Sequence, residues 1–410
     1  MKFNTALLHT SSSSDKYGST QPPIYQVSAF SHESAEKLEK VFENKASGFA
    51  YTRIGNPTVD AFEKKIAALE GGIAAVACSS GMAAVTMALL NILRSGDEVI
   101  AGAGLFGGTI DLFGDLAAFG ITARFVDTVT AESVSELINE HTRAVFTELI
   151  GNPKLDVVDM KSVAEVCHRN GIPLIIDSTT ATPYLVHPFE YGADIVIHST
   201  SKYINGGGNS ISGVIIDSGN FRWDREKYPG LAEYSKLGKF AYAAKLRNGI
   251  WRNVGACLSP LNAYMNMVGM ETLGLRMDRI CGNALRLAEF LGSLDGLTVN
   301  YPALPSSPYS PLAQSELGGR GGGILTVRAG SKARAFSLIN SLKYALIATN
   351  IGDIRTLVIH PASTIYLHSD EKRREQAGVY DDTIRVSVGI EDIDDLTEDF
   401  GNAWKKAKEN

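Results

Sequence analysis

The stretch His198-Ser-Thr-Ser-Lys202-Tyr-Ile-Asn-Gly-Gly-Gly208-Asn-Ser-Ile-Ser-Gly213 places one lysine between hydroxyl residues and a run of glycines. The run before it, Gly192-Ala-Asp-Ile-Val-Ile197, predicts a turn and a short buried strand. Lys202 therefore follows the end of a strand, where α/β proteins keep their reactive groups. A lysine in that position either binds a phosphate group or forms a covalent bond with its ligand.

A second charged residue, Asp177, ends the apolar run Pro173-Leu-Ile-Ile176. A lysine and a carboxylate at the ends of neighbouring strands are what pyridoxal phosphate (PLP) requires. The lysine forms a Schiff base with the cofactor, and the carboxylate keeps the pyridine nitrogen protonated so that the ring accepts electrons. Taken singly, such residues are more often solvated or part of a turn. Together with Ser199 and Ser201, which suit a phosphate, the pair favours a PLP site.

Strand and helix patterns alternate through the first half of the chain. Helical stretches such as 134–140 and 163–170 separate short apolar runs, which predict strands at 74–78, 98–101, 123–126, 144–148, 174–176, 195–197 and 212–216. This alternation predicts an α/β fold with a mainly parallel sheet and helices on both of its faces.

The second half of the chain has a different composition. A long helical region at about 259–294 precedes a proline-rich segment, 301–311, and a glycine-rich approach to a strand at 324–328. These features predict a smaller α+β domain. We therefore expect an N-terminal arm at 1–58, a large PLP-binding domain at 59–255, and a C-terminal domain at 256–410 that includes a long connecting helix.

The first 60 residues show little helix or strand periodicity. A serine run at 11–14 and turn residues at 18, 22 and 23 predict an extended arm. Such an arm has too little surface to fold alone, so we expect it to contact a neighbouring subunit. Within it, Tyr51 and Arg53 are two residues apart and so point the same way in an extended segment, which suits phosphate recognition.

Two further segments suit the binding of anions. Ser79-Ser80-Gly81-Met82 is a turn of small residues that opens a helix, so its backbone N–H groups lie at the positive end of the helix dipole. In the strand around Arg385, the arginine faces away from Ile384 and Val386. Such an arginine is usually solvated, but it can also bind the carboxylate of an α-amino acid in a bidentate manner.

Composition and charge exclude several classes of protein. Hydrophobic residues make up 44% of the 410 residues and charged residues 20%, which is ordinary for a globular protein. The net charge of −6 gives no general attraction to nucleic acid or an anionic membrane. No apolar run reaches transmembrane length, and the four cysteines lack metal-ligand spacing. We expect a cytoplasmic protein that binds no metal, nucleic acid or membrane.

Taken together, these residues resemble the Cys/Met-metabolism family of PLP enzymes, which have the aspartate-aminotransferase-like type I fold. The resemblance covers nearly the whole chain and is carried by Tyr51-Thr-Arg53-Ile-Gly-Asn-Pro-Thr, Ser80-Gly-Met82, Leu105-Phe-Gly-Gly-Thr109, Gly151-Asn152-Pro153, Asp177-Ser-Thr, Ser199-Thr-Ser-Lys202-Tyr and Ile384-Arg-Val-Ser-Val-Gly-Ile-Glu391.

The resemblance assigns roles to residues around the cofactor. It implies that Lys202 carries PLP, that Asp177 binds the ring nitrogen and that Phe106 stacks on the ring. The phosphate would be held by four residues of the same chain, Gly81, Met82, Ser199 and Ser201. The arm residues Tyr51 and Arg53 would reach the phosphate of a neighbouring subunit. The resemblance therefore implies at least a dimer, and the family commonly forms tetramers, as dimers of dimers.

The resemblance also implies a substrate. Asn152, Asn350 and Arg385 would bind an amino acid. Within the family, segments 255–263 and 349–363 look most like those of O-acetylhomoserine sulfhydrylases, which join an O-acyl-homoserine to a sulfur nucleophile such as sulfide or methanethiol. Members that form or cleave cystathionine carry a glutamate at the position of Arg355, suited to a distal ammonium. Arg355 would repel that ammonium and suit a small anion, although a solvated loop arginine is equally compatible with the sequence.

Departures from the family pattern keep other activities open. Phe106 replaces a tyrosine that assists proton transfer to the leaving group, a loss that acetate tolerates better than a thiol does. Ile365 and Tyr366 replace a Thr-His pair near Arg385, whereas Gly108 stands where methionine γ-lyases often have a cysteine. A methionine γ-lyase, a cystathionine γ-synthase and a non-catalytic PLP-binding or scaffold protein remain as alternatives to a sulfhydrylase.

Overall fold

The structure is a computed structural model that describes residues 1–10 and 15–409. Its strands are β1 Ala74–Cys78, β2 Glu98–Gly102, β3 Thr122–Val126, β4 Thr142–Glu148, β5 Leu174–Asp177, β6 Ile195–His198, β7 Gly213–Asp217, β8 Thr298–Asn300, β9 Ile324–Arg328, β10 Leu346–Ile347, β11 Leu357–Ile359 and β12 Thr383–Ser387.

Helices separate most of these strands. They are α1 Phe3–His9, α2 Ala35–Phe42, α3 Pro57–Glu70, α4 Gly81–Leu90, α5 Gly107–Ala117, α6 Ala131–Leu137, α7 Met160–Arg169, α8 Thr182–Leu185, α9 Ala241–Asn248, α10 Ile250–Val254, α11 Pro260–Met270, α12 Leu273–Gly292, α13 Ser310–Glu316, α14 Lys332–Ser341, α15 Glu371–Gln376 and α16 Ile393–Lys408. 3₁₀ segments occur at Pro188–Tyr191, Pro229–Phe240 and Pro361–Ser363, and the second is interrupted at Gly238.

The larger sheet carries the predicted α/β organisation. Among the described residues, seven strands form it in the order β1-β7-β6-β5-β4-β2-β3, and only β7 runs opposite to the rest. Alternate residues of a strand face opposite sides: Val145 of β4 packs into one apolar cluster with α3 and α7, whereas Phe146 packs into another with α4, α5 and α9. The prediction of a mainly parallel sheet covered by helices on both faces is confirmed.

The smaller sheet follows the long helical region. Within the described chain, its order is β10-β11-β12-β9-β8, and its pairs are antiparallel except for β10 with β11. A third apolar cluster joins it to α12, α14 and α16. The predicted α+β architecture at the end of the chain, a mainly antiparallel sheet packed against helices, is confirmed.

The predicted long helix is interrupted. Helix α11 ends at Met270 and α12 begins at Leu273. Gly269, close to this interruption, lies at a point of tight packing. A Cβ atom at Gly269 would lie 2.1 Å from the carbonyl oxygen of Asn205, in the segment that follows Lys202. The glycine therefore allows α11 to approach that segment closely.

The N-terminal arm is less extended than predicted. Residues 3–9 and 35–42 form α1 and α2, and Leu7 of α1 is buried in the same cluster as α3. The expectation that residues 1–60 lack helices is wrong at these two places. The serine run at 11–14 lies outside the described residues. Across residues 1–10 and 15–409, no helix is long and apolar enough to cross a membrane, and no cluster of three or more His, Cys, Asp or Glu side chains could hold a metal ion.

Candidate active site

A cavity of about 620 Å³ is lined by residues at or just after the carboxyl ends of β4, β5 and β6. This is where ligands bind in open parallel sheets. Most of the residues that the sequence predicted for the site line this one cavity, namely Gly81, Met82, Phe106, Asn152, Asp177, Ser199, Ser201, Lys202, Asn350 and Arg385.

Lys202 is largely buried in the cavity wall. Its Nζ donates a hydrogen bond to Oδ1 of Asn350 at 2.5 Å. Burial, and secondarily the positive charge of Arg385, lower the pKa of Lys202 to about 8. The amine is therefore much more often neutral at physiological pH than an ordinary lysine, and a neutral amine is the form that attacks a carbonyl group.

Arg385 lies in β12, and its side chain reaches the same cavity. It is 3% exposed, not solvated as arginines on such a face usually are. Nη1 donates to Oδ1 of Asn152 at 3.2 Å, and Nη2 donates to the backbone oxygen of Asn350 at 3.1 Å. Its Nε is buried and has no partner among the described residues. Burial lowers the pKa of Arg385 to about 10, so it remains a cation that can still accept an anionic partner.

Asp177 ends β5 and contacts a residue that the sequence did not single out. Thr179 donates its backbone N–H to Oδ1 of Asp177 at 2.9 Å, and the Thr179 hydroxyl accepts the N–H of Ser199 at 2.8 Å. Burial raises the pKa of Asp177, whereas hydrogen bonds from Thr179 lower it. A buried carboxylate held this way is suited to a cationic partner.

The start of α4 forms a cradle beside the strand ends. Ser80 caps the helix by accepting the N–H of Ala83 at 3.0 Å. A Cβ atom at Gly81 would lie 2.6 Å from Cβ of Ser199, so only glycine leaves room at this helix N-terminus. The Ser201 hydroxyl is engaged elsewhere: it donates to the oxygen of Ser212 at 2.9 Å and accepts its N–H at 2.8 Å. Ser201 must therefore turn its proton to bind a phosphate.

Phe106 and the positions that depart from the family pattern meet near the start of α5. A Cβ atom at Gly108 would lie 2.7 Å from Cε1 of the Phe106 ring, so a cysteine there would displace the ring. Ile365 lines the cavity, and its backbone oxygen lies close to Gly107. Tyr366 is 1% exposed and donates to the oxygen of Leu105 at 3.0 Å.

Three predicted residues do not line the cavity. Tyr51 and Arg53 are exposed; the Arg53 guanidinium lies 5.5 Å from the centre of the Tyr51 ring and donates to the oxygen of Arg252 at 2.7 Å. The Arg355 side chain is 53% exposed and pairs with Asp353 at 2.9 Å. Its Nη2 also reaches the oxygen of Gly207 at 3.3 Å. Asp353 therefore compensates the positive charge of Arg355.

Sequence reasoning missed Glu148, which ends β4 and lines the cavity. It stands opposite Asp177 in the register between β4 and β5. Burial, followed by the negative charge of Asp177, raises the pKa of Glu148 well above its usual range. The available signal was an acidic residue ending an apolar strand, the same signal that identified Asp177.

Comparison with known proteins identifies the family of this chain. Residues 4–405 match the family described as Cys/Met metabolism PLP-dependent enzyme. This chain belongs to that family. An O-acetyl-L-homoserine sulfhydrylase of Corynebacterium glutamicum is 42% identical, with 97% of this chain and 95% of the relative covered. A homocysteine synthase of Schizosaccharomyces pombe is 39% identical, with 99% and 98% covered.

A solved structure of a family neighbour confirms the predicted type I fold. The putative O-acetylhomoserine (thiol)-lyase of Campylobacter jejuni has a TM-score of 0.95 and 32% identity, with 99% of this chain and 100% of that chain covered. That structure contains N'-pyridoxyl-lysine-5'-monophosphate. The prediction of PLP as the cofactor of this family member is therefore confirmed.

The residues around the cavity fit PLP. The amine of Lys202 is poised for covalent attachment, and Asp177 can face a protonated ring nitrogen. The glycine-lined N-terminus of α4, with Ser199, leaves a space that suits a phosphate group. Arg385 can accept a further anionic group, since its buried Nε has no partner in the part of the chain that the structure describes.

Proposed function

We propose that this enzyme replaces the γ-substituent of O-acetylhomoserine with a sulfur nucleophile. Sulfide would give homocysteine and acetate, and methanethiol would give methionine and acetate. One observation carries the proposal: Lys202 and Arg385 both bind Asn350, the first through its side-chain oxygen and the second through its backbone oxygen. A single residue thus bridges a reactive amine and a cation that can bind a carboxylate, an arrangement that suits the α-carbon and carboxylate of an amino acid.

In this proposal, the carboxylate of the substrate binds Arg385. The guanidinium presents the otherwise unpaired Nε, and Asn152 adds an amide that contacts Nη1. A charge-assisted contact to a buried arginine orients the amino acid strongly. Asn350 then sets the distance from this anchor to the amine of Lys202.

Lys202 would move the protons. PLP, when bound, supplies an electron-withdrawing group conjugated to the α-carbon. Nζ of Lys202 would take the proton from Cα, and later return one when the product forms. Its pKa of about 8 suits both directions at neutral pH. Asp177 would keep the ring nitrogen protonated throughout.

Phe106 favours an ester as the leaving group. Its side chain lines the cavity but carries no hydroxyl that could protonate a departing thiol. After a proton is lost from Cβ, acetate would leave Cγ with the electron pair of the C–O bond, without prior protonation, as a Cβ–Cγ double bond forms. The sulfur nucleophile would then add to Cγ, and a proton would return to Cβ. The lack of a hydroxyl at Phe106 therefore favours a γ-replacement on an ester over cleavage of a thioether.

We also propose that Tyr51 and Arg53 complete the site of another subunit in a homo-oligomer, at least a dimer and in keeping with a dimer of dimers. Both residues are exposed, and neither lines the cavity of its own chain.

We propose that the chain is divided into an arm at 1–58, a cofactor domain at 59–255 and a C-terminal domain at 256–410. The four cysteines are unpaired, which supports a cytoplasmic location.

A donor-dependence assay tests the function. Purified enzyme loaded with PLP is mixed with O-acetylhomoserine and sulfide, methanethiol, cysteine or no donor, and the products are separated. We expect homocysteine with sulfide, methionine with methanethiol, and little 2-oxobutanoate without a donor. Cystathionine as the main product with cysteine, or release of methanethiol from methionine at a comparable rate, would instead identify one of the alternative activities.

A further inference from the structure

Glu148 holds together two parts of the cavity wall that are distant in sequence. Its Oε1 accepts the backbone N–H of Phe106 at 2.7 Å, and its Oε2 accepts that of Asn152 at 2.9 Å. The side chain is at the end of β4 and is 9% exposed. One carboxylate therefore links the aromatic residue at the start of α5 to the amide that contacts Arg385.

We propose that Glu148 is a positioning residue, whose carboxylate fixes Phe106 and Asn152 relative to each other and so sets the width of the active site. The inference rests on the proposed function, in which Phe106 faces the cofactor and Asn152 helps to hold the substrate carboxylate. It assigns no contact with substrate to Glu148 itself.

The chemistry of a carboxylate explains why glutamate suits this position. Two N–H donors converge on the side chain, so both of its terminal atoms must be acceptors. A glutamine presents one oxygen and one NH₂ group, and the NH₂ group would face an N–H donor. An apolar residue would leave both buried N–H groups without a partner, which is costly.

Burying an acidic side chain at this position is energetically costly, which argues against a residue that merely fills space. Glu148 is directly opposite Asp177, so a buried carboxyl and a partly buried one share the same part of the sheet. Burial and the charge of Asp177 raise the pKa of Glu148, and the two N–H groups oppose that shift. Buried like charges in a cleft are typical of functional sites.

Asp399 offers a matched control. It is 5% exposed, and its carboxylate accepts the backbone N–H groups of Lys343 and Tyr344 at 2.9 to 3.1 Å. It is therefore another buried acidic residue that bridges backbone donors, but it does not line the cavity. Replacing it with asparagine removes an acceptor in the same way as Glu148→Gln does.

The experiment compares Glu148→Gln and Asp399→Asn with the wild type. Thermal unfolding measures stability, and titration of the apoprotein measures PLP affinity. The loaded enzyme is then titrated with L-alanine, an amino acid that has no γ-leaving group. The visible absorbance of the cofactor reports this binding. KM and kcat for O-acetylhomoserine complete the set.

We expect both variants to be less stable than the wild type, but only Glu148→Gln to weaken L-alanine or PLP binding, by ~10-fold, as for the loss of a buried hydrogen bond. KM should rise more than kcat falls. Equal ligand binding by Glu148→Gln and the wild type would overturn the proposal.

If Glu148→Gln does not fold, Glu148→Asp replaces it. The aspartate side chain is one methylene shorter, so both oxygens lie farther from the two N–H donors, and the expected results are the same. Because L-alanine binding needs no turnover, a wild type inactive on O-acetylhomoserine would refute the proposed function without deciding this inference.

Discussion

The lowered pKa of Lys202 predicts how fast the apoprotein takes up PLP at different pH values. Only the neutral amine attacks the aldehyde of the cofactor, so the rate of attachment should follow the neutral fraction of Lys202. Because burial and Arg385 disfavour the charged amine, this fraction should rise with a midpoint near pH 8.

The size of the effect follows from the two pKa values. With a pKa of about 8, roughly one tenth of Lys202 is neutral at pH 7. With the ordinary lysine value of 10.5, the neutral fraction would be about 1 in 3,000. The attachment rate at pH 7 should therefore be about a tenth of its plateau at high pH, and about 300-fold faster than for an unperturbed lysine.

The perturbation that tests the cause is Arg385→Leu. Removing this charge should raise the pKa of Lys202. The rise should be smaller than the whole difference between about 8 and the ordinary value of 10.5, since burial is the larger cause of that difference. A rise of one unit would lower the rate at pH 7 about tenfold relative to the plateau. Arg355→Leu is the control, because Arg355 is exposed, pairs with Asp353 and does not line the cavity.

The assay is stopped-flow absorbance of apoprotein mixed with excess PLP between pH 6 and about 10, referenced to a soluble amine under the same conditions to remove the titration of PLP itself. We expect the wild type and Arg355→Leu to have the same midpoint, and Arg385→Leu to have a higher one. A wild-type midpoint above about 10, or a midpoint that Arg385→Leu leaves unchanged, would refute the reasoning.

Lys202→Ala should abolish turnover and the visible absorbance of the lysine-bound cofactor, while circular dichroism remains that of a folded protein; γ-replacement near the wild-type rate would contradict the proposal. Arg53→Ala should weaken PLP affinity by about tenfold or more in a confirmed oligomer, because a charge-assisted phosphate contact is lost; equilibrium dialysis measures this, and unchanged affinity would exclude a role across the subunit boundary. Arg355→Glu should change the ratio of kcat/KM for sulfide and cysteine by no more than about threefold, since Arg355 is exposed and already paired with Asp353; a larger change would show that Arg355 reaches the sulfur donor.

The strands of the large sheet could be predicted because they leave a strong pattern. Buried parallel strands consist of short apolar runs bounded by turn residues, and β4, β5 and β6 fit this description. The helices of the arm carry a pattern as well, but a short one. Apolar residues recur at helical spacing at Leu38, Val41 and Phe42 in α2, and at Phe3, Ala6 and Leu7 in α1. Each helix has only about two turns, so its pattern is too short to outweigh the turn residues around it.

The site was predictable in its residue types but not in its contacts. Lys202, Asp177 and Arg385 were found because charged residues are unusual in or beside apolar strands. Arg355 was placed by resemblance, and periodicity says nothing about a loop side chain, so its pairing with Asp353 could not be foreseen. The position of Glu148 at the end of an apolar strand was visible in the sequence, but its contacts with two backbone donors exist only in the folded chain.

The segment around Asn350 explains how two sheets make one site. Arg385 belongs to the smaller sheet and Lys202 follows a strand of the larger one, and Asn350 binds both. The segment is held against the lysine by Gly352, whose φ is +70° and whose Cβ, if present, would lie 2.5 Å from the backbone nitrogen of Tyr203. Only glycine allows that approach. In the proposed function, Asn350 therefore couples the carboxylate anchor Arg385 to the base Lys202. A side chain at Gly352 is expected to push the Asn350 segment away from Tyr203, next to that base.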